Sequence, residues 1–154
     1  MNRSGMILGA TILCLATAAS VSADEVTYRD HVQPLFDAKC AACHGASSPY
    51  IGDFDEDPDR YAAMNLGPRM DSYADMITFV VYPDTGALVR RLDDGSVHPE
   101  GKAGNMYENL GADEEERQRN LAIFKAWVGG GEAWNPARWR DMSKEQLDRI
   151  EVAY

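Results

Sequence analysis

The stretch that decides the fold is Cys40-Ala41-Ala42-Cys43-His44. A Cys-x-x-Cys-His run predicts covalent attachment of a haem, because each thiol can form a thioether with one vinyl group of the same porphyrin. The imidazole that follows the second thiol is then placed to bind the iron. Cys40 and Cys43 are therefore the expected tethers, and His44 is the expected proximal ligand.

Three other roles for Cys40 and Cys43 fit the residue pattern less well. A structural zinc site needs about four ligands, and the sequence offers no second cysteine pair. A thioredoxin-like redox pair needs a βαβ context, whereas the flanking sequence predicts helix. A plain disulfide between the two cysteines stays open as an alternative, since disulfides form in exported proteins.

The first 23 residues predict a secretory signal peptide. Arg3 supplies the positive start, Met6–Ala19 is mostly apolar, and Val21-Ser22-Ala23 is a small-residue cleavage site. The alternative is an uncleaved anchor, but the apolar run is shorter than the roughly 20 residues that span a bilayer. We therefore expect a periplasmic chain that begins at Asp24 and is not inserted in the membrane.

The remaining 131 of the 154 residues are enough for one domain and are strongly acidic. The whole chain has a formal net charge of −10, and removal of the segment that contains Arg3 makes it −11. This acidity argues against binding of nucleic acid, whose phosphates demand a basic surface. It favours electrostatic steering toward a partner protein with a basic docking surface.

Apolar residues recur at helical spacing along most of the chain, which predicts an all-α protein. A first helix is expected within Glu25–Cys43, beginning near Asp30 as its cap, because Pro34 is tolerated only in a first turn. Further helices are predicted over residues 60–66, 72–82, 84–92 and 113–128. The last is the clearest, since acidic residues fill its first turn and Gly129-Gly130-Gly131 ends it.

The segments between these helices predict loops. Residues 45–59 contain an acidic run, Asp53-Phe54-Asp55-Glu56-Asp57, that resembles the opening of a calcium loop. Pro58 stands where such a loop needs glycine, so a solvated acidic loop is the better interpretation. Residues 94–105 predict a glycine-rich loop. Residues 132–154 predict an extension beyond a domain of residues 24–131, with a short final helix whose capping box is Ser143 with Gln146.

A second axial ligand is expected on the other face of the haem. The candidates after the motif are Met64, Met70, Met76, His98, Met106 and Met142. Met106 is favoured, because the preceding Gly104 and Asn105 let the backbone bend toward the iron. His98 would give a haem of lower potential, and another methionine or an open position stays as the third alternative.

Several of these patterns resemble class I c-type cytochromes. Val32-x-Pro34-Leu35-Phe36 followed by Cys40-x-x-Cys43-His44-Gly45 is similar to their N-terminal helix and haem site. Pro83-Asp84-x-Gly86-Ala87-Leu88-x-x-Arg91-Leu92 and Ala126-Trp127-Val128-x-x-Gly131 are similar to later segments of bacterial single-haem domains. The resemblance implies one covalent haem c, N- and C-terminal helices that pack across each other, and Met106 as the distal ligand.

This resemblance implies an electron carrier rather than an enzyme, with redox proteins as its partners. Outer-sphere transfer of one electron at a time through a haem held by His44 and Met106 is the expected function. One alternative is a dedicated electron-transfer subunit of a larger oxidoreductase, with Trp134 and Trp139 as a docking element. The other is a haem enzyme or gas sensor with an open sixth position.

Overall fold

A computed structural model describes residues 26–154, in which the chain is helical and contains no strand. The α-helices of this range are α1 (Gln33–Lys39), α2 (Ala41–His44), α3 (Ile51–Glu56), α4 (Pro58–Ala63), α5 (Tyr73–Thr78), α6 (Ala87–Leu92), α7 (Glu114–Trp127) and α8 (Lys144–Leu147). A π-helix occupies Tyr28–Val32, and 3₁₀-helices occupy Tyr107–Leu110, Gly131–Ala133 and Trp139–Asp141. The predicted all-α class is confirmed. The predicted signal peptide at residues 1–23 lies outside the described residues.

The N-terminal helical segment is interrupted at the haem motif. Its π-helix is capped by Thr27, whose side chain accepts a hydrogen bond from the Asp30 backbone N–H at 3.2 Å. The cap is therefore Thr27 and not Asp30 as expected. Pro34 is the second residue of α1, which continues directly from the π-helix. At Cys40 the chain leaves α1 and enters α2, so the two cysteines of the motif belong to different turns.

The prediction of a loop over residues 45–59 is wrong in its second half, which forms α3 and the start of α4. Asp57 caps α4 by accepting from the Arg60 N–H, and Pro58 occupies the first helical turn, where proline is favoured. Asp53, Asp55 and Glu56 of the acidic run are therefore exposed residues of α3, and Asp57 follows this helix. No group of three acidic, histidine or cysteine side chains that could hold a metal occurs between residues 26 and 154.

The later helices begin close to their predicted positions. The Ser72 side chain caps α5, and the Asp113 side chain caps α7 by accepting from the Glu116 N–H at 2.8 Å. Residues 94–105 form the predicted loop between α6 and the 3₁₀-helix at Tyr107–Leu110. The capping box of Ser143 and Gln146 is present at the start of α8.

The core lies between the N-terminal segment and α7. Leu121, Phe124 and Trp127 form the buried stripe of α7. The ring of Tyr28 lies 6.0 Å from the ring of Trp127, and Phe36 belongs to the same buried cluster. The first and last long helical segments therefore pack together, as the resemblance implied.

The C-terminal residues return to this junction. The carbonyl of Ala153 accepts hydrogen bonds from the Tyr28 N–H at 2.8 Å and from the Trp127 indole at 2.9 Å. The Tyr73 hydroxyl donates to the carbonyl of Val152 at 2.7 Å. None of the helices between residues 26 and 154 has the length and apolarity needed to cross a membrane.

Candidate haem site

One cavity of about 550 Å³ brings the predicted site residues together. Cys40, Cys43, His44 and Met106 all line it. Most of its remaining wall is apolar and includes Phe36, Ile51, Phe54, Leu66, Met70, Met76, Phe79, Leu88, Leu92, Leu110 and Phe124. Its volume lies in the range of pockets that bury most of a small-molecule ligand or cofactor. The sequence motif and the favoured distal ligand, which are 62 positions apart from His44 to Met106, thus face a single space.

The His44 ring is oriented by a backbone carbonyl. Its Nδ1 lies 2.8 Å from the oxygen of Pro68. A carbonyl can only accept, so Nδ1 carries the proton and donates, and Nε2 keeps its lone pair. Metal-bound histidines are commonly fixed in this way by a partner of their second nitrogen. His44 is therefore held in the tautomer that an axial ligand requires.

Gly67 lies directly against the same ring. A Cβ added at Gly67 would be 2.1 Å from Cε1 of His44, far inside van der Waals contact. The Gly67 N–H donates to the carbonyl of Cys43 at 2.8 Å, and the Met70 N–H donates to the carbonyl of His44 at 2.9 Å. We call His44, Gly67, Pro68 and the two cysteines the attachment wall. Its second half is a segment folded back onto the motif.

Cys40 does not have the character of an activated redox thiol. Burial, with a further contribution from Cys43, raises the pKa of the Cys40 thiol to about 11. A catalytic thiol needs a lowered pKa and a positive neighbour, so the half-buried Cys40 is a protonated thiol at neutral pH. The side-chain amide of Asn65 lies 3.2 Å from Sγ of Cys43, and the Ser48 hydroxyl donates to the Cys43 carbonyl at 2.9 Å.

Met106 is held by the end of α6. Its N–H donates to the carbonyl of Arg91 at 2.9 Å, and the Arg91 guanidinium donates to the Asn105 side-chain oxygen at 3.1 Å. The Asn109 amide lies 3.7 Å from Sδ of Met106. We call Arg91, Asn105, Met106 and Asn109 the methionine wall, and all four line the cavity.

Some of the other candidate ligands line the cavity and some do not. His98 does not line the cavity, and its Nδ1 accepts from the Glu100 N–H at 3.2 Å. Met64 is exposed, and Met142 is buried away from the cavity. Met70 and Met76 do line it. The backbone of Met70 is bonded to His44, so Met70 belongs to the side of the attachment wall.

The residues present fit a covalently attached haem. Two thiols, an imidazole with a free Nε2 and a thioether line one largely apolar cavity, and these are the groups that tether a haem and bind its iron. Glycine is the residue that fits at position 67, because any side chain there would collide with the imidazole ring. An all-α chain with this site has the features of the single-haem c-type cytochromes.

The comparisons with known proteins indicate the same class of protein. The model of the PccH cytochrome c family matches residues 27–154, and the chain belongs to this family. The protein accordingly carries one covalently bound haem c with its iron and takes part in electron transfer. The match covers the C-terminal residues 132–154 as well as the domain that precedes them.

A solved structure shares both sequence and fold. The chain is similar to the monoheme cytochrome PccH from Geobacter sulfurreducens, with 51% sequence identity and a TM-score of 0.76. The match covers 84% of this chain and 98% of that one. A comparison with curated protein sequences found no match.

Sequence reasoning missed the residues that support the ligands. Gly67 and Pro68 follow the helix predicted over residues 60–66, and they contact His44. Asn109 and Arg91 were not singled out as neighbours of Met106. No pattern in the sequence marks these supports, since Gly67 and Pro68 lie 23 and 24 positions after His44 and a single asparagine or arginine carries no signal.

Proposed function

We propose that this protein is an exported carrier that passes single electrons between partner proteins, with its haem held by Cys40, Cys43, His44 and Met106. The observation that carries the proposal is the single cavity that all four residues line. When bound, the haem iron supplies the redox chemistry, since it takes one electron from a donor and gives it to an acceptor. The periplasmic location rests on the predicted signal peptide and on the family.

The residues of the cavity perform distinct tasks in this proposal. The cysteines attach the cofactor irreversibly. His44 presents Nε2 in a fixed orientation because the Pro68 carbonyl holds Nδ1. Met106 supplies a soft thioether, a ligand that raises the potential. The apolar wall, of which Leu88 and Phe124 are buried examples, excludes water and keeps the site rigid between the two oxidation states.

The acidic helix α3 supports a partner with a basic surface. Asp53, Asp55 and Glu56 are exposed on this helix. Asp55 also lines the cavity, so the negative charge lies at the edge of the haem site. Charges placed beside a redox site steer an oppositely charged partner toward it and raise the rate of encounter.

This steering can be tested with small oxidants of opposite charge. The triple variant Asp53→Asn, Asp55→Asn, Glu56→Gln spares Asp57, which caps α4. At low ionic strength it should lose rate severalfold with cationic tris(phenanthroline)cobalt(III) and gain rate with anionic ferricyanide. Both effects should shrink at about 0.5 M salt, where charges more than a few ångströms apart are screened.

The matched control removes the same charge elsewhere. Glu145→Gln, Asp148→Asn and Glu151→Gln change three acidic residues of the tail, none of which lines the cavity. This variant should react with both oxidants nearly as the unsubstituted protein does. Equal effects of the two triple variants would show that net charge matters and that α3 is not a docking surface.

A second candidate function is that of a subunit of an oxidoreductase complex. Trp134 is buried, whereas Trp139 is 45% exposed and contacts the ring of the exposed Tyr82 at 5.6 Å between centroids. An exposed aromatic pair favours a lasting protein contact. Stable co-purification of the protein from its native host with a larger enzyme, lost on Trp139→Ala, would favour this candidate over the free carrier.

A further inference from the structure

A buried carboxylate follows the last residue of α6. Asp93 is 2% exposed. It accepts hydrogen bonds from the Gly95 N–H at 2.8 Å, the Val97 N–H at 3.1 Å, the Ser96 hydroxyl at 3.1 Å and the Trp134 indole at 2.8 Å. Three of these donors belong to the loop that follows α6. Trp134 belongs to the C-terminal tail, 41 positions away.

The same residue also holds the other end of that loop. The backbone carbonyl of Asp93 accepts from the Gly104 N–H at 2.7 Å. A Cβ at Gly104 would be 2.3 Å from the carbonyl oxygen of Arg91, so the loop returns in close contact with α6. Two residues later, the Met106 N–H donates to that same Arg91 carbonyl. Asp93 thus fixes both the start of the loop and the segment that presents Met106.

Trp134 closes this arrangement from the outside of the cavity. Its side chain is 4% exposed, and neither it nor Asp93 lines the cavity. The ammonium of Lys125 lies 5.7 Å from the centre of the indole ring and 3.7 Å from the carboxylate of Asp94. The indole is therefore packed under the loop with its N–H directed at Asp93, where a buried carboxylate needs donors.

We propose that the Asp93–Trp134 pair positions Met106 at the haem iron. The pair acts through the loop and does not contact the cofactor. This inference rests on the proposed ligation by Met106. In this arrangement the C-terminal tail sets how often Met106 leaves the iron, since opening of the loop must break or strain the bonds around Asp93.

Competition with imidazole measures this directly. Imidazole added to the ferric holoprotein binds only when Met106 has left, so its apparent affinity rises with the population of the open loop. Trp134→Phe keeps an aromatic ring and removes the indole donor. Ferric haem iron that binds a thioether has a weak far-red absorption band. Trp134→Phe should lower by about tenfold the imidazole concentration at which half of this band is lost. A tenfold change is the effect of losing one hydrogen bond to a charged group. Asp93→Asn should shift it in the same direction.

Two controls separate positioning from general loss of stability. Trp139→Phe alters an exposed tryptophan of the same tail. Tyr73→Phe removes the hydrogen bond to the tail carbonyl of Val152, away from the Met106 loop. Both should leave the imidazole midpoint unchanged, even where Tyr73→Phe lowers the denaturant midpoint of unfolding as much as Trp134→Phe does.

The outcomes distinguish this inference from the function on which it rests. A normal far-red band with an imidazole midpoint changed less than about twofold in Trp134→Phe would overturn the role of the pair alone. An equal shift in Tyr73→Phe would also overturn it, because the effect would then follow global stability. A far-red band absent from the unsubstituted protein, or unaffected by Met106→Ala, would overturn ligation by Met106 and the inference with it.

Discussion

The two walls of the haem cavity are built in different ways. The attachment wall starts from five consecutive residues, Cys40 to His44, and its support comes from Gly67 and Pro68. The methionine wall presents Met106 from a loop whose restraints come from α6 and from the C-terminal tail. The attachment wall is thus a local motif supported by one short segment, whereas the methionine wall is assembled from segments that are distant in the sequence.

This difference predicts how each wall fails. The proposed covalent tethers make the attachment wall difficult to displace, so loss of a tether or of His44 should abolish the site outright, whereas crowding of their supports should destabilise it. The methionine wall depends on many hydrogen bonds of about 1 kcal/mol each. Damage there should leave the haem attached and change how firmly Met106 is held.

Replacement of His44 should have the largest effect. His44→Ala removes the proposed proximal ligand, and we expect the yield of low-spin holoprotein to fall by more than about tenfold, since even partners of a metal ligand are worth that much. The absorption spectrum of the purified protein measures it. His98→Ala is the control, because His98 does not line the cavity. A low-spin spectrum that survived His44→Ala would refute the assigned role.

Gly67→Ala should come next. The added methyl carbon would lie 2.1 Å from Cε1 of His44, so the ring must move. Overpacking of this kind costs about 1–3 kcal/mol, to be measured as the free energy of unfolding of the holoprotein. Gly52→Ala is the matched control, because nothing lies within 4 Å of the added carbon. Equal stability of the two variants would show that His44 does not require glycine at position 67.

Asp94→Asn tests the loop of the methionine wall through pH. Burial opposes the charge of Asp94, but hydrogen bonds from Ser96 and Gln118 and the nearby Lys125 outweigh it and lower its pKa to about 2. A lowered pKa stabilises the fold above the ordinary aspartate pKa of about 4, and the stabilisation is lost as pH falls toward 2.

The variant should therefore be less stable than the unsubstituted protein at pH 7, by about 1 kcal/mol. The difference should close between about pH 4 and pH 2. Denaturant unfolding at several pH values measures it. Asp37→Asn changes an exposed carboxylate of α1 and serves as the control. A difference that does not depend on pH would exclude the charge of Asp94 as its cause.

Asn109→Ala should have the smallest effect. The Asn109 amide lies 3.7 Å from Sδ of Met106 and draws electron density from the sulfur. Its loss should lower the reduction potential by about 20 mV, the equivalent of a weak hydrogen bond. Potentiometric titration measures the shift. Asn120 does not line the cavity, and its amide donates to the Leu110 carbonyl, so Asn120→Ala should leave the potential unchanged.

The sequence predicts Cys40, Cys43 and His44 better than the residues that support them. The cysteines and His44 are read from spacing alone, and the start of α7 is predicted because Asp113 and the acidic first turn are local signals. The carbonyl of Pro68 is 24 positions from His44, and no residue type marks a backbone acceptor. The bonds to Met106 depend in the same way on contacts between segments that only the fold brings together.

The helices α3 and α4 show a different limit of prediction from the sequence. The acidic run was expected to be a loop, because helix propensity is weak where Asp, Gly and Pro are dense. Yet Pro58 and Asp57 are favourable at a helix start, and their positions could have been interpreted in that way. The role of Asp93 was not predictable, since its partner Trp134 lies in a tail whose course follows from tertiary packing.

The most direct test of the account is the absorption spectrum of the ferric holoprotein with and without Met106. We predict low-spin bands and a weak far-red thioether–iron band for the unsubstituted protein, and complete loss of the far-red band in Met106→Ala with the haem still covalently attached. Met76→Leu, at a buried position that also lines the cavity, should retain it. A high-spin unsubstituted protein that binds carbon monoxide without losing a ligand would contradict the account and indicate an open iron.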